Sequence, residues 1–128
     1  MREIGSPQPT AVELEILRIL WELQPCPVRA VHERLNAAKG TNYSTTVKML
    51  SVMLAKGLVK RDETATPHVY RAAMTRHRAG KQFLSDLIEK VYDGSAMSLV
   101  LQALAGGKAT KEEIVEARRL LDELEGKS

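Results

Sequence analysis

The sequence predicts a mainly α-helical chain with one small β-hairpin, and three observations lead to this fold class. Apolar residues recur at three- and four-residue spacing through most of the 128 residues, as on the buried face of a helix. One stretch, residues 58–72, instead contains two short β-type runs around a polar turn with Pro67. The order of these elements, three helices and a hairpin followed by helices alone, predicts an N-terminal winged helix-turn-helix and a C-terminal three-helix dimerisation region.

The first helix is predicted between a flexible tail, residues 1–9, and a pair of prolines. Thr10 and Glu13, in the segment TAVE, form the pattern of a capping box. Pro25 and Pro27 cannot continue a helix, so we expect it to end just before them. Its buried face is predicted to carry Leu14, Ile16, Leu17, Leu20 and Trp21.

Two further helices are predicted before the hairpin. The second closes at Gly40, which favours the conformation of a C-cap, and the third begins at Ser44, a good N-cap, and stops at Gly57. Apolar spacing predicts that the second helix buries Val28, Ala30, Val31 and Leu35. It predicts that Arg29, His32 and Glu33 face outward. The third helix is expected to bury Val47, Leu50, Met53 and Leu54. The hairpin strands follow at residues 58–61 and 68–72.

The residues after the hairpin are predicted to be helical, in three segments. Gly94 and the pair Gly106-Gly107 separate these segments, and Thr110 with Glu113 repeats the capping-box pattern. Apolar faces as wide as these predict burial against a partner, which we expect to be a second copy of the chain. The candidate dimerisation residues are Phe83, Leu84, Leu87, Ile88, Val91, Tyr92, Leu99, Val100, Leu101, Leu104, Ile114, Ala117, Leu120, Leu121 and Leu124.

Charge distinguishes the predicted winged helix, residues 10–73, from the predicted helical dimerisation domain, residues 74–128. Residues 1–73 carry ten Lys or Arg against seven Asp or Glu, whereas residues 74–128 carry nine of each. The excess lies in residues 34–61, where six cations and no acid occur in 28 residues. A basic, acid-free stretch that includes the third helix indicates a surface that approaches a polyanion.

The third helix is the element that a winged helix-turn-helix inserts into the DNA major groove. Threonine can contact base edges and lysine binds phosphate, so outward residues of this helix are candidate DNA contacts, joined by side chains of the hairpin. The candidates are Tyr43, Ser44, Thr45, Thr46, Lys48, Met49, Ser51 and Lys56 of the helix and Arg61, His68 and Arg71 of the hairpin. A winged helix that binds another protein, without specific DNA binding, stays open as the alternative.

Four segments in order, AVELEILRILWEL, PVRAVHERL, NYSTTVKMLSVMLAKGLVKR and HVYRA, resemble the penicillinase and methicillin-resistance repressor (BlaI/MecI) family. DGSAMSLVLQAL and TKEEIVEARRLLDELE resemble the dimerisation region of that family. The resemblance covers residues 10–125 and implies a homodimeric transcriptional repressor that binds a palindromic operator. It places the recognition helix at residues 44–55, where the aromatic-Ser-x-x-Thr-Val pattern of the family is one residue shorter, at residues 43–47.

Two departures from the family bear on the inducing signal. Members that a membrane metalloprotease cleaves have an Asn-Phe bond in the short dimerisation helix, and the matching pair here is Gln102-Ala103. The resemblance thus offers a membrane or cytosolic antirepressor protease as a candidate partner, but the changed residues argue against that protease and against a role in β-lactam resistance. Copper-responsive relatives end in paired Cys motifs, which this sequence lacks, so copper sensing is not expected.

No catalytic residues, cofactor or metal site are predicted. His32, His68 and His77 are scattered without Cys, Asp or Glu at a recurring ligand spacing, and the single Cys26 can form no internal disulfide. We interpret His32 as solvent-facing, and Cys26 as either a plain loop residue or a redox-sensitive thiol. Neither a signal peptide nor a run of ~20 apolar residues is found, so we expect a cytoplasmic protein without membrane insertion.

Overall fold

A computed structural model describes residues 9–127 and confirms the predicted fold class, a winged helix-turn-helix followed by a helical region. The predicted flexible tail lies, except for Pro9, outside the described residues. The chain divides into two compact units, with the boundary between Phe83 and Leu84. The elements are α1 (Ala11–Leu23), α2 (Val28–Lys39), α3 (Tyr43–Lys56), β1 (Val59–Asp62), β2 (Val69–Ala72), α4 (Arg76–Val91), α5 (Ala96–Ala105) and α6 (Lys111–Gly126).

Helix α1 begins as predicted, with a complete capping box. Thr10 Oγ1 accepts a hydrogen bond from the backbone N–H of Glu13 at 3.1 Å, and Glu13 Oε1 accepts one from the backbone N–H of Thr10 at 2.9 Å. The sequence does not predict the burial of Glu13, which is only 1% exposed. A carboxylate buried to this extent requires a cationic partner, and α3 supplies one.

The N-cap of helix α3 lies two residues before the predicted one, so the prediction of Ser44 as the N-cap is wrong. Asn42 holds the cap position in extended conformation, and its Oδ1 accepts from the backbone N–H of Thr45 at 2.9 Å and from Ser44 Oγ at 3.0 Å. Asparagine caps a helix as well as serine does, so composition alone does not separate the two positions. The C-caps Gly40 and Gly57 are confirmed, since both adopt the left-handed conformation, with φ of 67° and 80°.

The core of the first unit lies among α1, α2, α3 and the hairpin. The strands differ from their predicted bounds by one residue and pair antiparallel, with Lys60 opposite Arg71. Backbone hydrogen bonds of 2.7 and 3.1 Å between Tyr70 and Cys26 attach the segment before α2 to β2. The buried cluster consists of Ile16, Leu17, Leu20, Cys26, Val31, Leu35, Leu50, Met53, Val59 and Tyr70.

Cys26 belongs to this core and is not an exposed loop residue. It is 5% exposed, and burial raises the pKa of its thiol. A protonated, inaccessible thiol reacts slowly with oxidants, because the thiolate is the reactive form. Of the two interpretations of Cys26, the structure therefore favours the residue without redox function over the redox-sensitive thiol, and it adds a packing role in the core.

The second unit contains the end of α4 together with α5 and α6, whose starts carry local caps. Ser95 Oγ accepts from the backbone N–H of Ser98 at 3.1 Å, and Thr110 and Glu113 form the predicted second capping box with hydrogen bonds of 2.8 and 3.0 Å. None of residues 84–127 is buried. The large apolar residues exposed here are Leu84, Leu87, Val91, Met97, Val100, Leu101, Leu104, Ile114, Val115, Leu120, Leu121 and Leu124.

Candidate nucleic-acid interface

The outward face of α3 is identified by the residues buried on its opposite side. Thr46, Leu50 and Met53 are fully buried, at spacings of four and three residues. Val47, predicted in the core, is 38% exposed, whereas Thr46, predicted at the DNA, is inaccessible. Both predictions are wrong by one position of helical phase. Apolar spacing favours Val47, but a threonine can occupy the core position when its hydroxyl finds a hydrogen-bond partner there.

The partner of Thr46 is His32 on α2. Thr46 Oγ1 and His32 Nδ1 lie 3.0 Å apart, and the threonine hydroxyl also donates to the carbonyl oxygen of Asn42 at 3.4 Å. His32 is half-buried, so its interpretation as a solvent-facing residue is wrong. The two side chains form a polar contact that joins α2 to the N-terminal part of α3.

Tyr43, the first residue of α3, is 43% exposed and lies against two residues of α2. Its ring meets that of His32 edge-on, with centroids 5.3 Å apart and an interplanar angle of 82°. The guanidinium carbon of Arg29 lies 5.4 Å from the centroid of Tyr43. These aromatic and cation–π contacts hold the tyrosine at the entry of α3. Arg29 is a site residue that the sequence indicated only by its charge.

Four of the predicted contacts, Ser44, Thr45, Lys48 and Ser51, are exposed on α3. Met49 is half-buried and packs against the core. No residue of α3 is acidic, so no side chain of the helix repels a phosphate. Short hydroxyl side chains permit close approach to base edges, and Lys48 adds a cation.

Lys56 is a predicted contact whose ammonium group is paired with a buried carboxylate of the protein. Lys56 Nζ donates to Glu13 Oε2 at 2.7 Å, and the side chains of the two residues are 33% and 2% exposed. Burial disfavours the ionised form of Glu13, but hydrogen bonds from Lys56 and Thr10 more than offset it and lower the pKa of the carboxyl group. The ion pair joins the start of α1 to the end of α3.

The outer face of the hairpin carries Lys60 directly opposite Arg71, and both are exposed. Like charges in this arrangement destabilise a hairpin, and an anion bound between them would relieve the repulsion. Arg61 lies on the other face, where it pairs with Glu63 and where hydrogen bonds to Tyr70 and Glu63 raise the pKa of its guanidinium group. The predicted set lacked Lys60, although alternation along β1 places it on the face opposite to that of Arg61.

A groove of about 640 Å³ lies between the α2–α3 pair and the turn of the hairpin. Arg29, Tyr43 and Val47 line it on the helical side, and His68 lines it on the hairpin side. The structure thus brings the exposed His68 and Tyr43, two predicted DNA contacts, around one opening.

The predicted dimerisation residues fall in both units. Phe83 is half-buried in the first unit, and the others occur along α4, α5 and α6, or in the case of Tyr92 directly after α4, at exposed or half-buried positions. Gln102 and Ala103, the pair matching the cleaved bond of the family, are exposed on α5. Gln102 Oε1 accepts a hydrogen bond from the hydroxyl of Tyr92 at 3.0 Å. The bond between Gln102 and Ala103 therefore lies inside a helix.

Within residues 9–127, no three His, Cys, Asp or Glu side chains are grouped in a way that could hold a metal ion. Every helix in that same range also falls short of the combined length and apolarity that a membrane span requires.

The winged helix-turn-helix, with an acid-free third helix and a basic hairpin face, defines a DNA-binding regulator of the winged-helix class. The chain belongs to the penicillinase repressor family, since the sequence model of that family matches residues 9–123. The penicillinase repressor of Bacillus licheniformis is 23% identical to it over 117 residues, which cover 91% of each chain. These findings confirm the resemblance and a role in transcription regulation through DNA binding.

Proposed function

We propose that the protein is a homodimeric repressor that binds a palindromic operator, with α3 of each copy in the major groove. The observation that carries the proposal is the exposed, acid-free face of α3 beside the basic outer face of the hairpin. Each copy would bind one half-site, and the half-sites would lie one or two helical turns apart, at ~34–36 Å per turn.

The exposed side chains of α3 suit contact with base edges. Ser44, Thr45 and Ser51 carry short hydroxyl groups that donate and accept hydrogen bonds, and the exposed Val47 offers methyl groups to the methyl group of a thymine. Lys48 is the exposed cation of this face. Because helix α3 starts at Tyr43, its first two turns carry all of these residues except Ser51, and this is the end that enters the groove in a helix-turn-helix.

The phosphate backbone would be contacted by two groups of residues beside α3. Arg29 and Tyr43 lie at the entry of the helix, with the guanidinium carbon 5.4 Å from the centroid of the ring. The hairpin presents Lys60 and Arg71, with His68 near its turn. Such contacts fix the orientation of the protein on the duplex, whereas base contacts specify the sequence.

Dimerisation through the second unit is supported by its composition of exposed apolar residues. A second copy would cover these residues and place two winged helices on one DNA molecule. Once one half-site is occupied, the other is bound as an intramolecular event, so the dimer gains affinity without any new contact. We therefore assign most of the effective operator affinity to this coupling.

Release of the operator follows from the same coupling, since any signal that separates the copies removes it. A cut at Gln102-Ala103 would divide the second unit within α5. An antirepressor protease acting there would have to unwind part of α5 first, because proteases bind extended segments. Digestion of the purified protein with fractionated cell extract, followed by mass spectrometry of the fragments, tests this route to induction.

The direct test is selection and footprinting of genomic fragments with the purified protein, followed by affinity measurements across a salt series. We expect a short palindrome and a log–log salt slope of roughly −0.9 for each phosphate contact. Lys48→Ala and Arg71→Ala should each make the slope less steep by about one contact. Lys39→Ala is the matched control, because Lys39 lies on α2 and pairs with Glu15 at 2.7 Å.

Binding without a preferred site would contradict the repressor proposal. Weak binding with a shallow salt slope, together with capture of a defined protein partner that tolerates Lys48→Ala, would favour the alternative of a protein-binding winged helix. A wild-type protein that binds the palindrome as a monomer at full affinity would contradict the dimeric part alone.

A further inference from the structure

We propose that Glu13 and Lys56 form a positioning pair that sets the orientation of the recognition helix α3, and that Lys56 does not contact phosphate. The inference rests on the proposed function, because the orientation of α3 affects binding only if α3 enters the DNA. It gives Lys56 a positioning role, whereas its positive charge alone suggests a contact with DNA.

The geometry of the pair supports a structural use of the lysine charge. The Lys56 Nζ to Glu13 Oε2 distance is 2.7 Å, and the Glu13 side chain is 2% exposed. The other carboxylate oxygen, Oε1, accepts from the backbone N–H of Thr10. If Lys56 turned to a phosphate, the carboxylate would remain buried without its cation, which is strongly unfavourable. We therefore expect Lys56 to stay paired with Glu13 when the protein binds DNA.

The pair also suits the electrostatics of both helices that it joins. Glu13 lies in the first turn of α1 and Lys56 in the last turn of α3. A negative charge is favourable at a helix N-terminus and a positive charge at a C-terminus. Each residue thus stabilises its own helix as well as the contact between them.

Helix α3 is held by directional polar contacts at both ends. Near the N-terminus, Thr46 hydrogen-bonds with His32 of α2, and at the C-terminus Lys56 binds Glu13 of α1. Between these ends the buried face is apolar, through Leu50 and Met53. Apolar packing tolerates small rotations more readily than a hydrogen-bonded charge pair, and buried polar contacts are known to fix register in helical assemblies.

The test measures operator affinity across a salt series for variants of the full chain. Lys56→Met removes the charge at similar volume, and Lys56→Arg retains it. The double variant Glu13→Gln/Lys56→Met leaves no buried charge and keeps an acceptor for the capping box, so it remains informative if Lys56→Met fails to fold. Lys48→Met is the control for a true phosphate contact, and Glu113→Gln is the control for the capping box.

We expect the folded Lys56→Met and double variants to bind the operator roughly threefold to thirtyfold more weakly, with the wild-type salt slope. Lys48→Met should instead reduce the slope by about 0.9, while Lys56→Arg and Glu113→Gln should stay near wild-type affinity. If Lys56→Met reduced the salt slope by as much as Lys48→Met does, the positioning role would be overturned. Wild-type operator affinity in the double variant would overturn it as well. A wild-type protein without a steep salt slope would overturn the proposed function, and this inference with it.

Discussion

The two units of the chain use the same local helix signals but differ in what their helices bury. In the first unit, ten residues form one buried cluster; in residues 84–127, none is buried. Helices α1 and α6 begin with the same capping box, Thr-x-x-Glu, so the difference does not arise from how the helices start. The first unit contains its own hydrophobic core, whereas the second carries exposed apolar helix faces, which we expect to be buried against a partner.

Local forces alone give little stability to the second unit. Helix α5 has 10 residues and α6 has 16, which lie below and just above the ~12–15 residues under which an isolated helix is marginal in water. Arg119 of α6 pairs with Glu116 and Glu123, but exposed pairs of this kind add only about 0.3–0.5 kcal/mol each. Burial of the exposed leucines against a second copy is therefore the main source of stability that we expect for this unit.

The largest effect is expected from a charge placed on the apolar face of α6. Leu121 is 50% exposed and lies seven residues after Ile114 on the predicted dimer face. In a two-fold dimer, Leu121→Asp buries two carboxylates, so the dissociation constant of the dimer should rise at least roughly a thousandfold. Sedimentation velocity over a range of protein concentrations measures this change.

The control for that variant is Val115→Asp, because Val115 is 64% exposed but lies off the face of Ile114 and Leu121. It should leave the dimer nearly intact. Equal dissociation by both aspartates would mean that a general loss of helicity, and not a specific interface, explains the effect. Sedimentation of wild-type protein as a monomer at all concentrations would contradict the expectation that a second copy buries the apolar faces of the second unit.

The next largest effect is expected from Leu50→Ala in the core of the first unit. Leu50 is fully buried, so its truncation should lower the free energy of unfolding by about 3 kcal/mol. Because this core belongs to one copy, the loss should not depend on protein concentration. Chemical denaturation at two concentrations measures it, with Leu101→Ala, at a 60% exposed position of the second unit, as the matched truncation. A concentration-dependent loss for Leu50→Ala would mean that the first unit also relies on a second copy.

The sequence was sufficient for the order of the elements and for most of their ends. Glycine at Gly40 and Gly57, and the pairs Thr10–Glu13 and Thr110–Glu113, act within one helical turn. Such signals depend on neighbours along the chain and can be read without knowledge of the fold. The family resemblance can likewise be recognised without knowledge of the fold, because it depends on the order of segments along the chain.

The errors concern residues whose roles depend on partners distant in sequence. Thr46 occupies the core position predicted for Val47, where its hydroxyl hydrogen-bonds with His32, 14 residues away. For Lys56, the sequence gives its charge but not its partner Glu13, 43 residues away, so the ion pair that carries our proposal is not predicted. Both cases follow from tertiary contacts that override local patterns, so candidate DNA residues on α3 need the packed structure to be identified.

A smaller effect is expected from the ionisation of Glu13. The folded protein has a lower pKa for this carboxyl group than the ordinary value of 4.5. The ionised form thus contributes to the free energy of unfolding. This contribution is fully present above pH 4.5 and is lost as the pH falls through the pKa of the folded state. The difference in unfolding free energy between wild type and Glu13→Gln, followed by denaturation from pH 7 to pH 3, should therefore shrink on acidification. Glu113→Gln removes a carboxylate from the exposed capping box, and an equal acid-dependent change for it would contradict the role of the buried pair.

The smallest effect is expected when the same substitution is made in the capping box of each unit. This pair of variants distinguishes the two units most clearly. Thr10→Ala and Thr110→Ala each remove a hydroxyl oxygen that accepts from an N3 backbone N–H, at 3.1 and 3.0 Å, and each should cost about 1 kcal/mol. For Thr10→Ala the loss should appear as a lower unfolding free energy at every protein concentration. For Thr110→Ala it should appear as a weaker dimer, because α6 folds and associates in one process if the second unit has no core of its own.

Thermal melts at protein concentrations a hundredfold apart distinguish the two variants. We expect a nearly constant shift in melting temperature for Thr10→Ala and, for Thr110→Ala, a shift in melting temperature that grows on dilution. Identical concentration dependence for both variants would mean that the two units fold and associate as a single cooperative structure.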